Sequence, residues 1–224
     1  MSRTLVHRRT LVHRVVLPRT PGPRPPLLVL AHGLAGDEEQ LLPLAARVDP
    51  RFLVVSVRAP RNANRVGFAW YRVRWRMASP RRELAQVVES RDLLARFLEE
   101  LVTATEADPA RVFLLGFSQG AVLSVAVALA RPGLVRGVVA HSGRLLPEVT
   151  PTAAPPGLER LEVLVLHGAA DEMVHVPRGR EAAEILRRLL GPRVTYREWP
   201  DLGHAILDES AAEAASWLAA RLGP

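Results

Sequence analysis

Three side chains that can cooperate in acyl transfer stand far apart along this chain. Ser118 lies in Gly116-Phe117-Ser118-Gln119-Gly120, Asp171 closes His167-Gly-Ala-Ala-Asp171, and His204 closes Asp201-Leu-Gly-His204. A serine hydroxyl is a weak nucleophile until a neighbouring base removes its proton. The chemistry these types support is therefore covalent. Ser118 attacks a carbonyl carbon, His204 takes the proton and passes it to the leaving group, and Asp171 fixes the imidazole tautomer and stabilises the imidazolium.

Gly-x-Ser-x-Gly alone is a weak pattern, but here a buried-strand signal precedes it and a helical run of small residues follows. That is the strand–turn–helix setting in which such a serine is held above a sheet. A side chain at position 116 or 120 is expected to collide with neighbouring backbone. The helix start favours developing negative charge. The oxyanion needs donors already in place: the backbone N–H of Gln119 and, from the loop after the Leu27–Ala31 strand, that of Leu34. Gly33 and Gly36 let this loop approach, and the Leu34 side chain is expected to face the acyl group. Of the competing residues, His175 sits just before a helix, His167 and His32 are expected to brace loops, and His7 and His13 lie near the N-terminus. Asp201 and Asp208 share the loop of His204.

These residues must be carried by strands. Leu27–Ala31, Phe52–Val57, Val112–Leu115, Leu134–Ala140 and Val163–Leu166 are apolar runs of the kind buried on both faces, and Val194–Trp199 alternates as a less buried strand. Helices are predicted for Pro80–Thr105, Ser118–Ala130, Pro177–Leu190 and Glu209–Leu222, with a shorter one over Asp37–Val48. Strands alternating with helices give an α/β fold, a mostly parallel sheet of about seven strands with helices on both faces. Its functional edge is at the carboxyl ends of the strands. Near the start, Arg3-Thr-Leu-Val-His-Arg8 is repeated as Arg9-Thr-Leu-Val-His-Arg14. The second copy is expected to enter a strand, and the first to extend it or remain a flexible tail. No linker divides the chain, so residues 1–224 read as one domain, with 1–13 as the candidate extension.

The composition removes several alternatives. Cysteine is absent, which excludes disulfides, thiolate metal sites and a cysteine nucleophile. No His/Asp/Glu cluster has metal-ligand spacing. The longest apolar stretch, Ala121–Ala130, is about half of what a spanning helix needs. All 30 basic residues are arginines and the net charge is +7, read chiefly as a compositional bias rather than a nucleic-acid footprint.

The chain resembles the phospholipase/carboxylesterase family of α/β-hydrolases, which includes acyl-protein thioesterases and small carboxylesterases. The residues that carry the resemblance are Ala31-His-Gly-Leu-Ala-Gly-Asp37, Arg58-Ala-Pro60, Gly67 with Trp70-Tyr71, Asp108-Pro-Ala-Arg111, Gly116-Phe-Ser-Gln-Gly-Ala121, Ser142-Gly143, His167-Gly with Asp171 and Val176-Pro177, and Gly203-His204. It implies the same triad, Leu34 and Gln119 as oxyanion donors, hydrolysis of carboxylic esters or thioesters, no cofactor, and no large lid domain. Lysophospholipase or acyltransferase activity would use the same triad, and an inactive scaffold acting as a binding protein is the alternative of another class. The expected partner is a small-molecule acyl ester or thioester in the cytoplasm, with neither nucleic acid nor stable membrane insertion; a homodimer is left open.

The family often has Trp-Phe-Asp where this chain has Trp70-Tyr71-Arg72. That departure bears on specificity. Between Asp49 and Glu83 there is no acidic residue but nine arginines, interleaved with Phe68, Trp70, Tyr71 and Trp75. Trp70, with Tyr71 and Leu34, is expected to line the acyl pocket, and some of Arg72, Arg74 and Arg76 to favour anionic substrates.

Overall fold

The computed structural model describes residues 5–8, 10–63, 66–73 and 80–223, apart from the side chains of 5–8 and 80–82. Ten strands are described: β1 (Leu5–Arg8), β2 (Val12–Val16), β3 (Leu27–Ala31), β4 (Leu53–Val57), β5 (Arg61–Asn62), β6 (Phe68–Ala69), β7 (Val112–Phe117), β8 (Gly137–His141), β9 (Glu162–Gly168) and β10 (Val194–Trp199). The helices are α1 (Pro80–Thr105), α2 (Gln119–Ala130), α3 (Val176–Leu190) and α4 (Asp208–Ala219).

Eight strands form one sheet in the order β1-β2-β4-β3-β7-β8-β9-β10, and β5 pairs with β6 as a separate ribbon. From β4 to β10 the sheet's pairings are parallel, while β2 runs antiparallel to β4. The chain alternates faces with the two-residue period of a strand. Leu27, Val29 and Ala31 of β3 join α1, α2 and α3 in one apolar core; Leu28 and Leu30 join α4 in the other. All residues of β3, β4, β7 and β8 are buried, which is why their sequences are dominated by apolar residues, with Ser56 in β4 and His141 at the end of β8 as buried polar exceptions.

Three expectations are corrected. Within the first hexapeptide copy, Leu5–Arg8 is a strand of its own and not a continuation of β2. It pairs antiparallel with β2 so that His7 stands opposite His13. The helix predicted over Asp37–Val48 is only a 3-10 turn, Leu42–Ala46. Pro43 has no N–H to give and disfavours helical backbone at Leu42. Strand β8 begins at Gly137 rather than Leu134; Val135 is buried from the preceding turn.

Candidate active site

Strand β7 delivers Ser118 through a sharp turn with φ 54° and ψ −114°, a region that a residue with a Cβ rarely occupies. The two flanking glycines are required by close approach. A Cβ on Gly120 would stand 1.9 Å from the Ala31 carbonyl oxygen, and one on Gly116 would stand 2.3 Å from the Gly120 backbone. The Ser118 N–H is given to His141 O (2.9 Å) across β8, which fixes the turn from the other side.

The side chains singled out in the sequence converge here. His204 Nδ1 lies 2.7 Å from Asp171 Oδ2, and His204 Nε2 lies 3.0 Å from Ser118 Oγ. An ionised carboxylate only accepts hydrogen bonds, so Nδ1 carries the proton and Nε2 is the free base facing the hydroxyl. The other Asp171 oxygen accepts the N–H groups of Met173 (2.9 Å) and Val174 (2.8 Å). Burial acts to raise the pKa of Asp171. The bonds from His204 and from these N–H groups outweigh it and hold the carboxyl below its ordinary value.

The competing residues have other places. His32 is buried, accepting the Ala59 N–H at Nε2 (2.9 Å), so its Nδ1–H is donated to Gly33 O (2.6 Å); burial lowers its pKa. His167 donates Nε2–H to Val174 O (2.7 Å). His175 is exposed at the start of α3. Asp208 pairs with Arg47 (2.6 Å), and Asp201 is exposed.

Opposite the elbow, most N–H groups of the loop after β3 are already engaged. Gly33 N–H goes to Gln40 Oε1 (2.9 Å), Ala35 N–H to Phe68 O (2.9 Å) and Gly36 N–H to Gly33 O (3.2 Å). Among the described residues, the Leu34 N–H has no such acceptor. Gln119 opens α2, where helix N–H groups have no intrahelical partner. The Leu34 side chain is 42% exposed.

Trp70 and Tyr71 are buried within the core. The Trp70 indole N–H is donated to His32 O (2.9 Å). Of the arginines in this stretch, Arg58 makes a two-pronged pair with buried Glu38 (2.6 and 2.6 Å), and Arg61 bonds Trp70 O and Ser90. Arg72 is exposed. Arg65, Arg74, Trp75 and Arg76, and the side chains of Arg81 and Arg82, lie outside the described residues.

Two features escaped sequence reasoning. The Gln119 side chain accepts the Trp70 N–H (3.1 Å) and donates to Tyr71 O (2.8 Å). His141 is buried beside Phe117 and within the electrostatic reach of His204 and Asp171, its pKa pushed down to about 3 chiefly by burial. The only sequence signal was position: each directly adjoins a strand end or the nucleophile.

Known proteins resemble this chain in sequence and in fold. The sequence model of a family described as phospholipase/carboxylesterase matches residues 13–222. The esterase YpfH of Escherichia coli is 29% identical over 197 residues, 84% of this chain and 79% of that protein. An acyl-protein thioesterase 1 of Gibberella zeae is 32% identical over 122 residues, 52% of this chain and 50% of that protein. The chain thus spans about half the length of some of the curated relatives it matches. Among solved structures, a carboxylesterase from Mesorhizobium loti superposes with a TM-score of 0.81 at 27% identity, covering 99% of both chains. The esterase PE8 gives 0.77 at 26% identity, covering 93% of this chain and 97% of that one. Among the described residues no helix is long and apolar enough to cross a membrane.

Proposed function

The chain belongs to the phospholipase/carboxylesterase family, and from that premise we propose that it is a serine hydrolase cleaving carboxylic esters or thioesters through an acyl-enzyme on Ser118. One observation carries the reading: an unbroken relay from Asp171 Oδ2 through both nitrogens of His204 to Ser118 Oγ, with separations of 2.7 and 3.0 Å. Both lie within the reach required for proton transfer.

In the first half-reaction Ser118 Oγ bonds to the acyl carbon as His204 Nε2 takes its proton. The carbonyl electron pair moves onto oxygen, between the N–H groups of Leu34 and Gln119. Collapse of this intermediate expels the alcohol or thiol, which leaves with the proton from His204. Water then repeats the sequence, releasing the carboxylic acid and Ser118. The partly exposed Leu34 borders the acyl group, while buried Trp70 and Tyr71 stand behind the site. The substrate is a small-molecule ester or thioester in a cytoplasmic setting, without a nucleic-acid partner.

The test is hydrolysis of p-nitrophenyl esters of increasing acyl length. Saturable turnover by the wild type, lost in Ser118→Ala, is the expected result. Turnover that survives Ser118→Ala would remove the proposal.

A further inference from the structure

The short segment Phe68–Tyr71 is tied to both sides of the proposed oxyanion site. Toward the Leu34 loop, Phe68 O accepts the Ala35 N–H (2.9 Å), Phe68 N–H is given to Gly36 O (2.8 Å), and the Trp70 indole N–H is given to His32 O (2.9 Å). Toward the elbow, Trp70 N–H is given to Gln119 Oε1 (3.1 Å), and Gln119 Nε2–H to Tyr71 O (2.8 Å). The segment is also held from behind. Trp70 O accepts from Ser90 Oγ of α1 (2.6 Å) and from Arg61 Nη1 (2.8 Å), and Arg61 reaches on to Glu89. The Arg58 guanidinium, fixed by Glu38, covers the Phe68 ring at 4.5 Å.

Positions 34 and 119 are remote in the chain: one lies in the loop after β3, the other opens the helix after the neighbouring strand β7. The β3–β7 pairing sets the bases of both segments but leaves their outer reach free. Donors for an oxyanion help only if they are held where the charge develops, and a misplacement of about 1 Å can cost about a hundredfold in rate. Trp70 is 0% exposed and both its N–H groups have partners.

We propose that Phe68–Tyr71 is a positioning brace that sets the separation of the Leu34 and Gln119 N–H groups, with the Trp70 indole and the Gln119 side-chain amide as its two posts. The proposal rests on the reading that those N–H groups bind the oxyanion. It gives Gln119 two duties: its backbone faces the developing charge while its side chain holds the opposite wall. A brace of this kind acts on the transition state more than on the bound ester. Loosening it lowers kcat and leaves KM nearly unchanged.

Two variants release one post each. Trp70→Phe keeps an aromatic ring but removes the indole N–H; Gln119→Met keeps the length of the side chain but removes both amide bonds. Each is assayed for kcat and KM on p-nitrophenyl butyrate. Each is also titrated with a trifluoromethyl ketone, whose tetrahedral adduct on Ser118 carries an oxyanion, and with butyrate. The expected result is a fall in kcat of about tenfold to a hundredfold, matched by the loss of ketone affinity, with KM and butyrate affinity within about twofold. Unchanged kcat in folded variants overturns the proposal. So does a loss carried wholly by KM and butyrate affinity, since the segment would then be a pocket wall only. If Trp70→Phe does not fold, Gln119→Met decides alone. Ser118-dependent turnover that is intact in the variants sinks the brace and leaves the nucleophile standing; a wild type without such turnover sinks both.

Discussion

Replacing Asp171 by Asn should disable proton transfer while leaving the site assembled, and the structure says why. Asp171 Oδ1 accepts two backbone N–H groups, at 2.9 and 2.8 Å, within a side chain that is 0% exposed. An amide NH2 in that place would set a donor against two donors and leave buried N–H groups unpaired, at about 1–3 kcal/mol each. The amide oxygen must therefore take the Oδ1 position, and the NH2 faces His204 Nδ1. Nδ1 then has to accept, so the proton moves to Nε2, which now donates toward Ser118 and can no longer take its proton. A wrong tautomer of this kind is worth about 10⁴ in kcat, or about 5 kcal/mol of barrier. The assay is steady-state hydrolysis of a p-nitrophenyl ester, with the thermal midpoint recorded alongside. KM should stay within about threefold, since no substrate contact is altered. If Asp171→Asn keeps more than about a tenth of kcat while folded, Asp171 does not set the tautomer and the reasoning fails.

Other perturbations have signs set by geometry. Ser118→Gly relieves the positive φ and should stabilise the fold relative to Ser118→Ala by about 1 kcal/mol, a rise of about 2–4 °C in a scanning calorimeter, though both are inactive. Gly120→Ala drives a Cβ onto the Ala31 carbonyl and should cost about 3 kcal/mol or more, seen as loss of soluble protein or a collapsed denaturant midpoint. Arg58→Met strands the buried Glu38 carboxylate and should cost about 3–5 kcal/mol in urea unfolding; adding Glu38→Gln should recover part of it. His141, with a folded pKa of about 3 against 6.5 in the free residue, stays neutral as the unfolded chain begins to protonate. Its contribution is complete above pH 6.5 and is lost as pH falls toward 3, by about 1.4 kcal/mol per pH unit at most. Buried His32 acts in the same direction. His141→Asn should flatten the decline in thermal midpoint between pH 6.5 and 4.5; an unchanged decline would assign it elsewhere.

What the sequence made legible follows from which interactions are local. Strands such as β3 and β7 are buried on both faces, so their apolar runs announce them. The nucleophile turn is written in Gly116 and Gly120, because only glycine fits against the backbone there. Ser118, Asp171 and His204 could be paired from their places just after apolar strand runs together with their order in the chain. The brace could not: its bonds join positions 32, 61, 90 and 119 to residues 70 and 71, and most of them involve main-chain groups, which carry no residue signature. The burial of Trp70 was hidden for a related reason. An aromatic residue on a loop gives the same sequence signal whether it faces a ligand or a carbonyl. The segment Asp37–Val48 carries Leu41, Leu44 and Val48 at helical spacing, but Pro43 decides against the helix and leaves only the short turn Leu42–Ala46.

The most direct measurement is mass spectrometry of the protein after treatment with a fluorophosphonate, followed by peptide mapping. A relay from Asp171 through His204 to Ser118 should give one phosphonyl adduct per chain, located on Ser118, with labelling slowed by orders of magnitude in His204→Ala. No adduct on the folded protein, or one placed on another residue, would contradict the proposed nucleophile.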